Sequence, residues 1–180
     1  MVAGVVLPYN KYLTDKATKF PIMEYTDKYY GPGSNSLGFG AEKGLGWMGI
    51  DPFPGHGIRD VAVNTVLNFF LINIELYGWS TGSLILILIV LFSKSKRVID
   101  LWMLAFIVII VGLHSLYWFN GGPDFGARYW FLIIIPCVIL TAHGIRLLSN
   151  KVGNSNNIAV NNTYLLIGVF LLSSSTLINF

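Results

Sequence analysis

Charge is placed so unevenly along this chain that its later two-thirds lack the polar side chains needed to face water. Of the 21 acidic and basic residues, twelve lie before Val61 and nine serve the 120 residues that follow. Over the whole chain charged residues make up 12% and hydrophobic ones 54%, with a mean hydropathy of +0.62; soluble domains carry about 25% charge. The pattern predicts an all-α integral membrane protein with about four transmembrane helices, one interfacial helix and an N-terminal irregular extracytoplasmic segment. The net charge of +3 does not point to nucleic acid, because the basic residues form no long face. Their tightest group, Lys94, Lys96 and Arg97, abuts an apolar run and reads as a cytoplasmic anchor. Cys137 is the single cysteine, which excludes an intrachain disulfide. The start of the chain, MVAGVVLPYNKY, has no basic stretch before its short apolar run and does not read as a signal peptide.

Residues 1–60 form the first region. Between Tyr29 and Gly57 there are nine glycines and three prolines, which rules out a regular helix there. Phe39, Trp47, Met48 and Phe53 argue for an ordered loop packed against the membrane part, since a solvated linker has little use for them. The second region, 61–180, reads as helical. Over 61–78 the residues Asp60, Asn64, Asn68 and Glu75 fall on one stripe of a 3.6-residue helix, which suits an interfacial helix or one facing a cavity. Apolar runs then predict spans at about 80–93, 98–119, 126–148 and 163–180, with a kink at Pro136.

Basic residues set the orientation. The loop Ser93 to Arg97 carries Lys94, Lys96 and Arg97, and Arg146 with Lys151 flanks another, so loops 93–97 and 149–162 are expected in the cytoplasm and residues 1–60 outside. Tyr117, Trp118, Phe119, Tyr129 and Trp130 form an aromatic belt at the outer surface, and the protein is placed in the cell membrane as a multi-pass chain.

Several side chains can carry chemistry. Asp124 and Arg128 are four residues apart at the start of a span, where they can pair as a structural brace. Alternatively Arg128, at headgroup level, offers a planar fork to phosphate oxygens, and charge at that depth points to function. His56 beside Arg59 either anchors a loop–helix junction or contacts substrate. No second ligand stands at metal spacing, so no metal is expected. His114 and His143 lie within spans, where an interhelical hydrogen bond is the ordinary explanation. Glu75 lies on the stripe that can line a groove. The chain holds no phosphate-binding glycine loop, nucleophile elbow or paired-carboxylate motif.

The order LPY, SLGFG, a Pro-rich turn with His, an Asn-rich helix ending LYGW, then FGARYWFLIIIPCVILTAHGI resembles the C-terminal part of polytopic GT-C glycosyltransferases of the mannosyltransferase and arabinose-transferase kind. The matching positions are Gly126, Ala127, Arg128, Tyr129, Pro136, Leu140, Thr141, Ala142 and Gly144. Ala127 stands where that family usually has proline, and Phe131 and Leu132 replace more polar residues. The resemblance runs over about Leu7 to Leu147. It implies transfer of a sugar from a polyprenyl-phosphate carrier at the outer face, with the lipid phosphate as leaving group. The contacts to carrier or acceptor would come from Arg128, Asp124, His56, Arg59, Tyr129 and Glu75. It also implies that the catalytic acid, which the family carries in an N-terminal multi-span region, comes from a missing N-terminal half or a partner subunit. No cofactor is expected beyond the lipid-linked sugar donor. The competing reading is a non-catalytic multi-pass subunit or scaffold in which the same residues brace loops. A transporter ranks below both.

Overall fold

The computed structural model describes residues 2–47, 54–79, 82–121, 127–152, 162–164 and 166–171. It is all-α: the described residues contain no strand, and the single β-bridge joins Gly40 to His56. The chain divides into two compact units. The first comprises Met1–Asn64 and Ser115–Gly122, the second Thr65–His114 and Pro123–Phe180.

The first unit opens with two helices, α1 (Val2–Thr14) and α2 (Pro21–Tyr29). This corrects the expectation of an irregular segment over 1–60. Glycine is concentrated after Tyr30, and up to that point the chain holds Gly4 alone, so composition averaged over sixty residues hides two helix-competent stretches. Pro21 occupies the first turn of α2, where its fixed φ suits a helix and its missing N–H costs nothing. The turn between the helices is held by side chains. Buried Asn10 donates to the Ala17 carbonyl at 3.2 Å, and the Thr14 hydroxyl donates to the Lys19 carbonyl at 2.9 Å.

The glycine-rich stretch is a sequence of turns, as its composition requires. Lys43 is buried in it and donates to the Gly33 carbonyl at 3.0 Å and to Ser36 Oγ at 2.6 Å, with Glu42 Oε1 at 3.1 Å. Residues 115–120 dock onto this loop within the same unit. Gly38 N–H donates to the Leu116 carbonyl at 2.7 Å, and Asn35 Oδ1 accepts from Tyr117 OH at 2.9 Å and Trp118 Nε1 at 3.1 Å.

Helix α3 (Ile58–Glu75) begins in the first unit, and from Thr65 onward it belongs to the second. The second unit continues with α4 (Ile85–Phe92), α5 (Val98–His114), a 3₁₀ helix (Arg128–Ile133) that runs into α6 (Ile134–Val152), and a last helix (Asn162–Leu171). The link from α3 to α4 is tied to Asn73, whose carbonyl accepts from Ser83 N–H at 2.7 Å and whose Oδ1 accepts from Leu84 N–H at 3.1 Å. The change from 3₁₀ to α falls two residues before Pro136. The proline thereby sits in the first α turn, where the missing N–H leaves no bond broken. Ile87, Val90, Trp130, Ile133, Cys137 and Leu140 form the core. Gly144 lets α6 pass close to α4, because a Cβ there would overlap the Leu86 carbonyl.

One helix among the described residues, Arg128–Asn150, is long and apolar enough to cross a bilayer, with 23 residues at mean hydropathy 2.1. The run expected to span at 80–93 holds a helix of 8 residues, and α5 has 17.

Lys19 bridges the end of the α1–α2 turn to α2, with Nζ 2.6 Å from Glu24 and 2.8 Å from Asp27, and Asp27 also accepts from Gly33 N–H at 2.8 Å. The Lys19 hydrogen bond, followed by the Gly33 N–H, holds the Asp27 carboxyl below its ordinary value. A carboxyl depressed in the folded state stabilises it above the unfolded value of 3.8 and loses that contribution as pH falls through the folded one. Exchange protection of the Gly33 amide is therefore expected to weaken as pH drops below about 4, and Asp27→Asn is expected to remove that dependence in a hydrogen-exchange titration.

Candidate functional site

A groove of about 310 Å³ opens in the second unit between the last turns of α3 and the start of the 3₁₀–α6 segment. Its apolar wall comes from Ile72, Leu76, Phe131, Ile133 and Ile134, and its two charged side chains are Glu75 and Arg128. Glu75 ends α3, and Arg128 opens the 3₁₀ helix, so each charge stands at a helix terminus where the chain leaves the apolar packing. The stripe that begins at Asp60 thus reaches the groove at Glu75. Further back on the stripe, Asn68 is buried, and Asn64 accepts from Asn120 Nδ2 at 3.3 Å.

The Arg128 guanidinium lies 5.1 Å from the centre of the Tyr129 ring, a cation–π arrangement that fixes the fork while leaving the residue exposed. Tyr129 in turn stacks on His114 at 5.0 Å. Trp130 and Cys137, both buried, complete the lining. The Trp130 indole N–H is a buried donor without a hydrogen-bond partner, and Phe69 packs against its ring at 5.1 Å, nearly edge-on. A cation beside an apolar trough suits an anionic head carrying an apolar chain.

The structure therefore brings Glu75 and Arg128 to one groove, with Tyr129 against Arg128 and outside the groove's lining. Asp124, expected to pair with Arg128, lies outside the described residues. His56 and Arg59 belong to the first unit. His56 is buried there, its Nε2 lies 2.9 Å from the Ser115 carbonyl and its ring packs on Phe39, which is the anchoring role. Arg59 is exposed on the first turn of α3, beside Asp60, whose carboxylate accepts from Gly57 N–H at 2.8 Å. Among the described residues no three His, Cys, Asp or Glu side chains are placed to hold a metal ion.

Asp100 is the residue that sequence reasoning passed over. Its carboxylate is 0% exposed and meets three groups. Arg97 reaches it with Nη2 at 2.8 Å and Nε at 3.3 Å, the Arg97 backbone N–H donates at 2.7 Å, and His143 Nδ1 lies 2.8 Å away. The backbone bond caps α5 from its third residue, where an acid also complements the helix dipole. His143 carries the contact across to α6. The readable signal was an acid three residues after an arginine at the head of an apolar helix.

No family model, curated protein or solved structure matches this chain.

Removing the Asp100 carboxylate takes away the helix cap and the acceptor that Arg97 and His143 face, while half-exposed Arg97 can turn to water. Asp100→Ala is expected to cost about 1–2 kcal/mol of stability, the loss of a helix cap and its charge partner, read as a lowered unfolding temperature of the purified chain. A loss within about 0.5 kcal/mol would show that the cluster is incidental.

Proposed function

We propose that the second unit is embedded in a cell membrane and that its groove holds the phosphate end of a lipid-linked sugar, making the chain a C-terminal part or subunit of a membrane glycosyltransferase. The observation that carries this is the pairing of Arg128 with an apolar trough. Arg128 supplies a fixed guanidinium for phosphate oxygens, and Ile72, Leu76, Phe131, Ile133 and Ile134 supply the surface that the first isoprene units would cover. Glu75 at the same groove can accept hydrogen bonds from sugar or acceptor hydroxyls. When the glycosidic bond to the carrier breaks, negative charge grows on the phosphate, and Arg128 would stabilise it. The catalytic acid that the family resemblance calls for is assigned to a part of the assembly other than these residues.

The membrane placement is supported by an inverted polarity. Phe92, Val108 and Ile135 are 81%, 69% and 70% exposed, while Asn68, Ser83, Asp100, Thr141, His143 and Ser149 are buried. In water this arrangement forfeits the hydrophobic driving force, whereas in hydrocarbon it is the favourable one. In this reading the Arg128–Asn150 helix is one crossing, and the apolar runs predicted at about 80–93, 98–119 and 163–180 supply the other three. Loops 93–97 and 149–162 are cytoplasmic, and residues 1–60 are extracytoplasmic.

A second reading, a non-catalytic membrane subunit, draws on His56, whose contact with Ser115 uses as a brace a side chain that the enzymatic reading would give to substrate. Binding of a polyprenyl phosphate to the full chain in nanodiscs separates the two. The enzymatic reading expects Arg128→Ala to weaken binding about 10- to 100-fold, the loss of one charge-assisted contact of ~1.5–3 kcal/mol, without loss of helicity. Binding that is absent, or unchanged by the substitution, favours the subunit reading.

A further inference from the structure

The basic residues of the second unit are sorted by position. Between Trp79 and Val152 the sequence carries Lys94, Lys96, Arg97, Arg128, Arg146 and Lys151. Lys94, Lys96 and Arg97 immediately precede α5, and Arg146 lies in the later turns of α6. The Asp100–His143 contact brings the head of α5 against α6 three residues before Arg146, and residues three apart on a helix share a face. The loop before α5 and Arg146 are thereby gathered at one end of the unit, opposite the end at which Arg128 opens the 3₁₀–α6 segment.

At this end Lys94, Lys96, Arg97 and Arg146 are exposed. The acid within it, Asp100, is wholly buried and already engaged. Asp100 also sets the arginine's posture. Because Nε and Nη2 of Arg97 are taken by the carboxylate, the guanidinium plane is fixed while the side chain stays 45% exposed, and its Nη1 donors are left for an outside acceptor. The hydrogen bond to Asp100 raises the Arg97 group further above its ordinary value. Around the cations stand exposed Phe92, Val98 and Trp102, an apolar and aromatic fringe of the kind that sits at acyl chains and headgroups.

We propose that this end of the second unit is a binding surface for anionic phospholipid headgroups, with the Asp100-held Arg97 as its fixed phosphate contact and Lys94, Lys96 and Arg146 as the surrounding cations. The proposal rests on the membrane placement argued above, and it concerns the end away from the Glu75–Arg128 groove. A bilayer lipid is the partner that meets both features at once, since its phosphate faces the cations while its chains cover Phe92, Val98 and Trp102.

The test uses the full chain purified in detergent with equimolar phosphatidylglycerol and phosphatidylcholine, followed by measurement of the lipid that stays bound. Phosphatidylglycerol is expected in roughly tenfold or greater excess, falling as KCl is raised from about 0.05 to 0.5 M because headgroup charges are screened. The triple variant Lys94→Gln, Lys96→Gln, Arg146→Gln is expected to retain the two lipids about equally, with its helical circular dichroism intact. Equal retention by the unaltered chain, or a preference indifferent to salt, overturns the proposal even where the variant fails to fold. Flotation distinguishes which premise is at fault. A chain that floats with pure phosphatidylcholine vesicles but shows no lipid preference refutes the headgroup surface alone, whereas a chain that floats with neither vesicle type refutes the membrane placement as well.

Discussion

A carboxylate removed from water must find its compensation nearby, and Asp100 finds it in Arg97 before α5 and in His143 on α6. Much of the second unit depends on this. The contact fixes which end of α5 meets which end of α6 and, with the α4–α6 packing allowed by Gly144, it defines the register of the helices. It also sorts the charges, gathering the basic loop and Arg146 at one end while the start of the 3₁₀–α6 segment places Arg128 in the groove that Glu75 also lines. A buried ion pair of this kind adds little net stability over an apolar pair of the same shape. Its worth lies in excluding arrangements that would leave the carboxylate alone.

Other polar groups of the second unit are paired in the same way. Thr141 accepts from Tyr77 OH at 3.3 Å, Asn73 holds the α3–α4 link, and Ser83 Oγ accepts from Tyr77 N–H at 3.0 Å. Polar atoms face one another inside the unit, and large apolar side chains cover much of its outside. The first unit is built on another principle. Its Gly-rich turns are held by Lys43, Asn35 and His56 acting on carbonyls, hydroxyls and ring donors, which orders a stretch that has little regular structure of its own.

The all-α class was legible in the apolar runs, and the turns between Tyr30 and Trp47 in their glycines. The helix α3 was legible too, because helical periodicity is a local property, although of its polar stripe only Asn68 is buried while Asp60 and Glu75 stay exposed. Helices α1 and α2 were not legible, since the glycines and prolines farther along dominated the composition of the first sixty residues. At the site, Arg128 and Glu75 each stood out as charges on apolar helices. Their meeting in one groove is a tertiary fact, created by the packing of α3 against the 3₁₀–α6 segment, which no local pattern encodes. Asp100 was hidden by its own neighbours, because three basic residues just before it made the loop read as a plain cationic anchor. His143, which pairs with it, carries no sequence mark of its partner.

The proposal that the second unit turns its apolar side chains to hydrocarbon is tested directly by the collision accessibility of a spin label. With Cys137 replaced by Ala, a nitroxide placed at Val108 or Ile135 of the reconstituted chain should collide more often with oxygen, which partitions into the bilayer, than with a water-soluble nickel chelate. A label that collides mainly with the nickel chelate at both positions would contradict the account.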